Sequence, residues 1–149
     1  MKTFKLLLLL ATTCIVSVYA ETSQKEMISL AISSYEKALN ESSVDGIASL
    51  FSEDGVLILQ GAPTFVGKDE VKEFYAGLFQ NLKFDLRFKI DEIVEMSDEW
   101  AFVRTTTSGT LDIIANHSSI PSSGHELFIF KKQNDGTWAI ARYAGSSTK

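Results

Sequence analysis

The chain has 149 residues, of which 45% are hydrophobic and 22% are charged, and its net charge is −5 at pH 7. These values are typical of one soluble globular domain that is large enough to bury its own core. An acidic surface repels the phosphate backbone, so the composition argues against a nucleic acid as partner.

The first twenty residues have the pattern of a secretory signal peptide. Two lysines precede an apolar run from Leu6 to Val18, and small residues flank Tyr19 in the manner of a cleavage site. The run is shorter than the ~20 residues that a bilayer span needs. We therefore predict cleavage after Ala20, a secreted or periplasmic protein that is not held in the membrane, and a single domain over residues 21–149. Cleavage removes Cys14, the only cysteine, so the mature domain has no thiol for a disulfide or a metal.

The first part of the mature chain predicts three helices and one strand. Apolar residues recur at helical spacing in residues 23–40, and Ser43 is a capping residue for a second, short helix. Residues 56–60 predict a buried strand, and residues 61–67 predict a loop. Residues 68–82 give the clearest helix, with acidic residues in its first turn. The apolar faces are Met27, Leu30, Ala31, Tyr35 and Ala38 in the first helix and Val71, Phe74, Tyr75, Leu78, Phe79 and Leu82 in the third.

After Leu82 the apolar residues recur every second position, which is typical of strands with one buried face. Residues 84–96 predict one such strand, and residues 99–114 predict a Thr-rich strand with a bulge or bend at Gly109. A polar loop over residues 115–124 leads into a hairpin that turns at residues 134–136. Helices followed by antiparallel strands indicate an α+β fold, in which the helices cover one face of a curved antiparallel sheet.

Four short motifs occur in this order and spacing: EDGV at 53–56, G-x-P-x-x-x-G-K at 61–68, WAFVRT at 100–105 and DG-x-W-x-I-x-R at 135–142. Together they resemble the nuclear transport factor 2-like superfamily and, within it, the SnoaL-like proteins, closest to the SgcJ/EcaC group. The resemblance implies a cone-shaped fold that is commonly dimeric, with a pocket between the sheet and three N-terminal helices. Members include isomerases, cyclases, dehydratases, binding modules and assembly domains, so the fold alone does not select a function.

Glu126 and Arg142 are the charged candidates on the last hairpin. The turn pairs Phe128 with Arg142 and Phe130 with Ile140, which places Glu126 diagonally across from the arginine on an apolar face. One interpretation is a carboxylate of tuned pKa that performs acid/base chemistry beside an arginine that orients the substrate. The other is an ion pair that has only a structural role, since buried charges need partners.

Arg104 shares one face of its strand with Trp100 and Phe102. Arg104 is predicted to pair with the Glu126 carboxylate or to bind an anionic end of the ligand. Alternatively, it is an edge arginine that lies along aromatic rings. The opposite, Thr-rich face, with Thr105 and Thr107, is then available for a polar dimer contact.

Two helical tyrosines, Tyr35 and Tyr75, are candidate donors to a ligand oxyanion, or core residues whose hydroxyl groups are satisfied at the edge. The predicted catalytic residues are thus Glu126, Arg142 and Arg104, and the predicted ligand-binding residues are Tyr35, Tyr75, Trp100, Phe102, Phe128, Trp138 and Ile140.

These residues predict a pocket for a small, largely apolar ligand, with cofactor-free isomerisation, cyclisation or dehydration as the candidate chemistry. No cofactor and no metal are predicted, because the sequence has no glycine-rich dinucleotide loop, flavin signature or metal-ligand cluster. The alternatives are a non-catalytic binding protein and a homodimeric interaction module. The expected partners are a small-molecule ligand and a second copy of the chain.

Overall fold

A computed structural model describes residues 23–148 of the chain. The predicted signal peptide, residues 1–20, lies outside the described residues, and its cleavage stays a prediction. Within the described part, no helix is long and apolar enough to cross a membrane.

Between residues 23 and 148, three helices and six strands follow one another, with a short 3-10 turn at Ile114–Asn116. The helices are α1 (Gln24–Asn40), α2 (Val44–Leu50) and α3 (Lys68–Asn81). The strands are β1 (Phe51–Leu59), β2 (Phe65–Val66), β3 (Leu82–Glu95), β4 (Trp100–Ile113), β5 (Ser118–Lys132) and β6 (Trp138–Ser147). Strand β1 begins five residues before the predicted strand, and β2 and the start of β5 lie in segments that were predicted as loops.

The strands form one curved sheet in the order β2-β1-β6-β5-β4-β3. Neighbouring strands are antiparallel except for β1 and β6, which are parallel, so the sheet is mixed and not purely antiparallel as predicted. The three helices pack on one face, which we call the inner face and which carries the buried residues Ala101 and Val103 of β4 and Phe128 and Phe130 of β5. The α+β cone predicted from the sequence is confirmed.

Helix α1 is held along the edge strand β3 by side-chain bonds to its backbone. The Asn40 side chain donates to the carbonyl of Leu86 at 2.8 Å and accepts from the amide of Leu86 at 2.9 Å. The amide of Phe88 donates to Glu36 at 2.8 Å. These bonds provide partners for backbone groups at the free edge of the sheet. The ring centroids of Tyr35 on α1 and Phe88 on β3 are 5.5 Å apart.

The buried face of α1 differs from the predicted stripe. Its buried residues are Ile28, Ile32, Tyr35, Ala38 and Leu39. Leu30, which was predicted to be buried, is 62% exposed. Because Tyr35 and Ala38 belong to both the predicted and the observed faces, the inward direction of Tyr35 is unaffected.

Gly109 allows β4 to approach the backbone of β3 closely. Its φ angle is +153°, and a Cβ atom at this position would overlap the carbonyl oxygen of Asp85 on β3. Pairing with β3 continues through Gly109 without a register shift, so the predicted bulge is absent.

Candidate active site

A cavity of about 830 Å³ lies between the helices and the inner face of the sheet. Its apolar wall includes Leu39, Leu59, Phe74, Leu78, Leu82, Phe84, Leu86, Phe88 and Leu111. Its polar and small lining residues are Tyr35, Tyr75, Tyr143, Glu126, Thr107, Gln60, Gly61, Gly124, Gly145, Ser122, Ser123, Ser146, Ser147 and Thr148. The volume falls in the range of ligand pockets, and apolar walls with a few convergent polar groups are typical of them.

Glu126 is the charged residue of this cavity and is only 6% exposed. The hydroxyl of Thr105 donates to its Oε2 at 2.6 Å, and the hydroxyl of Thr107 donates to its Oε1 at 2.6 Å. Burial raises the pKa of Glu126 above its ordinary value, and the two threonine bonds act in the opposite direction. The carboxylate is therefore held in a fixed orientation by neutral donors.

Arg142 does not contact Glu126, contrary to the prediction. Its guanidinium donates to the carbonyl of Asp54 at 3.1 Å and to that of Ala141 at 2.6 Å. A β-bulge in β6 opposite Ile129 and Phe130 shifts the register, so Arg142 pairs with Ile129. An extra residue in one strand moves every later side chain to the other face.

The same bulge brings Tyr143 to the inner face. Tyr143 pairs with Phe128, the position that the uninterrupted register assigned to Arg142. Its ring centroid is 4.8 Å from that of Phe128 and 5.7 Å from that of Tyr35. A phenol thus stands where an arginine was predicted.

Arg104, Trp100 and Phe102 lie on the outer face of the sheet, and their predicted place in the pocket is wrong. The inner face of β4 carries Ala101 and Val103 instead. Arg104 forms ion pairs with two acidic residues of β3, Asp91 and Glu92, at 2.9 Å each. Alternation assigns side chains to two faces, but it does not say which face the helices cover.

Three further predicted pocket residues are core residues. Phe128, Trp138 and Ile140 are buried among the hydrophobic residues between sheet and helices. None of them belongs to the lining of the cavity. Their predicted inward direction is confirmed, whereas their predicted contact with a ligand is not.

Three tyrosines line the same cavity as Glu126, two of them as predicted. The hydroxyl oxygens of Tyr35 and Tyr75 are hydrogen-bonded at 2.5 Å. Burial is the main reason why the pKa values of Tyr35, Tyr75 and Tyr143 are raised above their ordinary range. All three phenols are therefore protonated at neutral pH.

Two glycines leave room for these groups. A Cβ atom at Gly145, the cross-strand partner of Glu126, would lie 2.8 Å from the Tyr143 hydroxyl. A Cβ atom at Gly124 would lie 3.1 Å from Glu126 Oε1 and 2.8 Å from a backbone carbonyl oxygen. The Tyr143 ring and the Glu126 carboxylate therefore occupy the space that larger residues at these two positions would need.

The arrangement offers a proton acceptor and proton donors in one apolar cavity. A buried carboxylate can remove a proton, and a phenol can stabilise the negative charge that develops on a ligand oxygen. Among residues 23–148, no group of three or more His, Cys, Asp or Glu side chains is placed to hold a metal ion.

Sequence reasoning missed Thr105, Thr107 and Tyr143. The two threonines share the alternation of Ala101 and Val103, but the bulkier Trp100 and Phe102 favoured the opposite face as the buried one. No local signal marks the bulge that turns Tyr143 inward.

The comparison with known families decides the affiliation of the chain. The SnoaL-like domain model matches residues 32–141, which is most of the chain. The chain belongs to the SnoaL-like family. The matched range includes Tyr35, Tyr75 and Glu126 but ends before Tyr143.

Solved structures support the SnoaL-like assignment. The chain is 36% identical to a ketosteroid isomerase-like protein from Erwinia carotovora atroseptica, with a TM-score of 0.79 and coverage of 83% of this chain and 95% of that one. A nuclear transport factor 2-like protein from Shewanella oneidensis is 22% identical, with a TM-score of 0.66 and coverage of 83% and 99%. A domain with a cystatin-like fold from Nostoc punctiforme is 18% identical, with a TM-score of 0.69 and coverage of 87% and 80%. The last two show the fold alone. No curated protein matches the chain.

Proposed function

We propose that the protein catalyses proton transfer on a small, largely apolar ligand, without a cofactor. The observation that carries the proposal is the Glu126 carboxylate, which is buried at a cavity that three phenols also line and is held by two threonine hydroxyls and not by an arginine. An arginine clamp would hold the carboxylate as a structural ion pair and lower its basicity. Hydroxyl donors leave it available as a base.

The reaction follows from the positions of these groups. Glu126 removes a proton from a carbon next to a carbonyl group, and the negative charge develops on the carbonyl oxygen. The Tyr35 hydroxyl contacts those of both Tyr75 and Tyr143, so the three phenols use two hydrogens between them and the third is available to that oxygen. Return of the proton to another carbon completes an isomerisation, and its transfer to a departing hydroxyl completes a dehydration.

The Erwinia relative supports this class of chemistry. It is described as ketosteroid isomerase-like and shares 36% of its residues with this chain over most of both lengths. We extend to this protein only the reaction class that the name implies, which is proton transfer next to a ketone.

Proton exchange on a model ketone tests the proposal without knowledge of the substrate. We expect the protein to accelerate deuterium incorporation at the α-carbons of 2-tetralone in D₂O, followed by NMR. Glu126→Gln removes the base and should lower the protein-dependent rate by at least about 100-fold, the usual contribution of a general base. Asp98→Asn, the same change of charge in the exposed turn between β3 and β4, should leave the rate unaltered. Equal rates for wild type and Glu126→Gln contradict the proposal.

A non-catalytic binding protein is the second candidate. The Tyr35 and Tyr75 hydroxyls bond to each other, and both oxygens of Glu126 accept bonds from threonines. Polar groups that satisfy one another need no ligand to complete them. Ligand binding with no proton exchange on any ketone would favour this function.

We also propose a homodimer formed through the outer face of the sheet. Ile58 and Leu127 are 47% and 41% exposed on adjoining parts of this face, and Phe102 is half-buried there. Light scattering should give twice the mass of the mature chain, and Leu127→Glu should give a monomer. A monomeric wild type excludes the dimer.

Two further proposals concern affiliation and location. We propose that the chain is nearest the SgcJ/EcaC group, which the motifs at residues 53–68 and 135–142 support and which an alignment of many SnoaL-like sequences would test. The N-terminal pattern supports secretion or periplasmic export. N-terminal sequencing of the exported protein should begin at Glu21.

A further inference from the structure

The residue next to the proposed base is a histidine on the other side of the sheet. His125 and Glu126 are consecutive in β5, so their side chains point to opposite faces. Glu126 is buried at the cavity, whereas His125 is exposed on the outer face and does not line the cavity. None of the described residues that line the cavity is an arginine, a lysine or a histidine. The described residues that can bring positive charge to Glu126 therefore lie outside the cavity.

Two consecutive threonines of β4 contact this pair, one on each face of the sheet. Thr105 pairs with Glu126 and donates to its carboxylate on the inner face. Thr106 pairs with His125, and its hydroxyl oxygen lies 3.5 Å from His125 Nδ1. Because the Thr106 hydroxyl donates its one hydrogen to Asp91 at 2.7 Å, it can only accept from His125. Nδ1 therefore carries the hydrogen of the neutral imidazole, and Nε2 is the nitrogen that gains a proton in acid.

A groove of about 540 Å³ on the outer face gives His125 access to solvent. The charged groups of the outer face around it are Lys89, Asp91 and Glu92 of β3, Arg104 of β4 and Arg142 of β6. Arg104 forms ion pairs with Asp91 and Glu92, and Lys89 forms one with Asp91 at 3.2 Å.

The charge of an imidazole changes between pH 5 and pH 8, whereas the neighbouring Asp91 keeps its charge over this range. The bond from Thr106 is the main reason why the pKa of Asp91 is lowered, so this carboxylate is ionised at pH 5 and above. A change of pH within this range therefore alters the charge of His125 beside a carboxylate whose charge is constant.

A positive charge on His125 favours the ionised form of Glu126. Burial is the largest reason why the pKa of Glu126 is raised, a charged His125 opposes this rise, and Asp91 adds to it. Burial thus favours loss of the negative charge that a base needs, and a protonated imidazole across the sheet favours its retention.

We infer that His125 acts on Glu126 through the sheet, so that a proton on the outer-face imidazole in acid keeps the carboxylate in the cavity ionised. The base then stays available at lower pH than burial alone allows. Because His125 does not line the cavity, it is a positioning residue that acts through Glu126. The inference rests on the proposed function in that Glu126 is the base, but the ionisation of Glu126 is measurable without turnover.

Carbon-13 NMR of the Glu126 side-chain carboxyl group between about pH 4 and pH 8 tests the inference. Its signal reports the ratio of carboxylate to carboxylic acid and is identified by its absence from Glu126→Gln. At pH 5 and low ionic strength, this ratio should be at least about twofold larger in wild type than in His125→Asn. Opposite unit charges within about 10 Å interact by that factor even at the dielectric constant of water.

Two variants separate the charge of His125 from its shape and from a general effect of charge. His125→Lys carries a positive charge throughout this pH range, so it should restore the wild-type ratio at pH 5. His117→Asn is the matched control, because His117 is the second histidine of the chain and lies exposed in the turn between β4 and β5. It should leave the ratio unaltered.

The pH dependence of 2-tetralone exchange gives a second readout. The rate should begin to fall at higher pH in His125→Asn than in wild type, because Glu126 gains its proton at higher pH without the neighbouring charge. At pH 8, where an imidazole is neutral, the two proteins should exchange at the same rate.

Three outcomes overturn the inference. These are equal ionisation of Glu126 in wild type and His125→Asn at pH 5, a His125→Lys variant that behaves like His125→Asn, and a His117→Asn variant that lowers the ratio as much. A difference in ionisation without any proton exchange contradicts the proposed catalysis alone. Proton exchange with equal ionisation in wild type and His125→Asn contradicts the role of His125 alone.

Discussion

The hydroxyl of Thr105 provides the sharpest test of how Glu126 is held. Thr105 is fully buried, and its hydroxyl donates to Glu126 Oε2 at 2.6 Å. Thr105→Val replaces this hydroxyl with a methyl group of similar size, so packing is nearly preserved while one bond to the carboxylate is lost.

The expected loss is that of a hydrogen bond to a charged group, about 1.5–3 kcal/mol of unfolding free energy at pH 7. For a domain of this size, about 4 °C of melting temperature corresponds to 1 kcal/mol, so Thr105→Val should melt about 6–12 °C lower. The pKa of Glu126 should rise further, because one of the bonds that lower it is gone.

Thermal and urea unfolding at pH 7 measure the effect. Thr110→Val is the matched control, because Thr110 lies exposed on the same strand and its replacement should change stability by less than about 0.5 kcal/mol. The deficit of Thr105→Val should shrink at acidic pH, where Glu126 is neutral and the bond is no longer charge-assisted. If both variants melt alike at pH 7, the carboxylate is not held by Thr105 and the reasoning fails.

Three further expectations follow from the geometry. Burial raises the pKa of Glu126 above 4.5, so the stabilisation from its retained proton is present below that pH and is lost as pH rises through the folded-state pKa. The melting temperature of wild type should consequently fall relative to that of Glu126→Gln between about pH 4 and pH 8, and a constant difference would contradict the shift. Phe128→Ala should cost about 3–5 kcal/mol in urea unfolding, since the ring is fully buried in the core; a loss below 1 kcal/mol, the scale of a surface substitution, would refute core packing. Arg142→Gln should leave the rate of 2-tetralone exchange nearly unchanged, because the Arg142 guanidinium binds backbone carbonyls. A decrease in rate of about 100-fold, as expected for loss of an acid/base group, would show that Arg142 takes part in the reaction.

Helical periodicity located two of the site residues correctly. Tyr35 and Tyr75 fall on apolar stripes of α1 and α3, and both line the cavity. The prediction that Tyr35 points inward is correct although Leu30, on the same predicted stripe, is exposed. The apolar stripe of a helix is wide, so its central residues remain buried when a residue at its edge is misassigned. The inward direction of Glu126 was likewise predicted from its alternation with Phe128.

Strand alternation misplaced the arginines for two separate reasons. For Arg104, both faces of β4 carry apolar residues, and the small pair Ala101 and Val103 faces the helices. For Arg142, the β6 bulge reverses the alternation that held as far as Ile140. Neither the covered face nor the bulge has a signature within the strand itself.

The sequence by itself determined the helices, most strand positions, the α+β class and the inward direction of Tyr35, Tyr75 and Glu126. These depend on periodicities of 3.6 and 2 residues, which local geometry imposes on each element. Only the tertiary structure decided what surrounds the carboxylate. Thr105, Thr107 and Tyr143 come from neighbouring strands, and their approach depends on sheet register, a bulge and the face that the helices cover, which are set by long-range packing and not by neighbours along the chain.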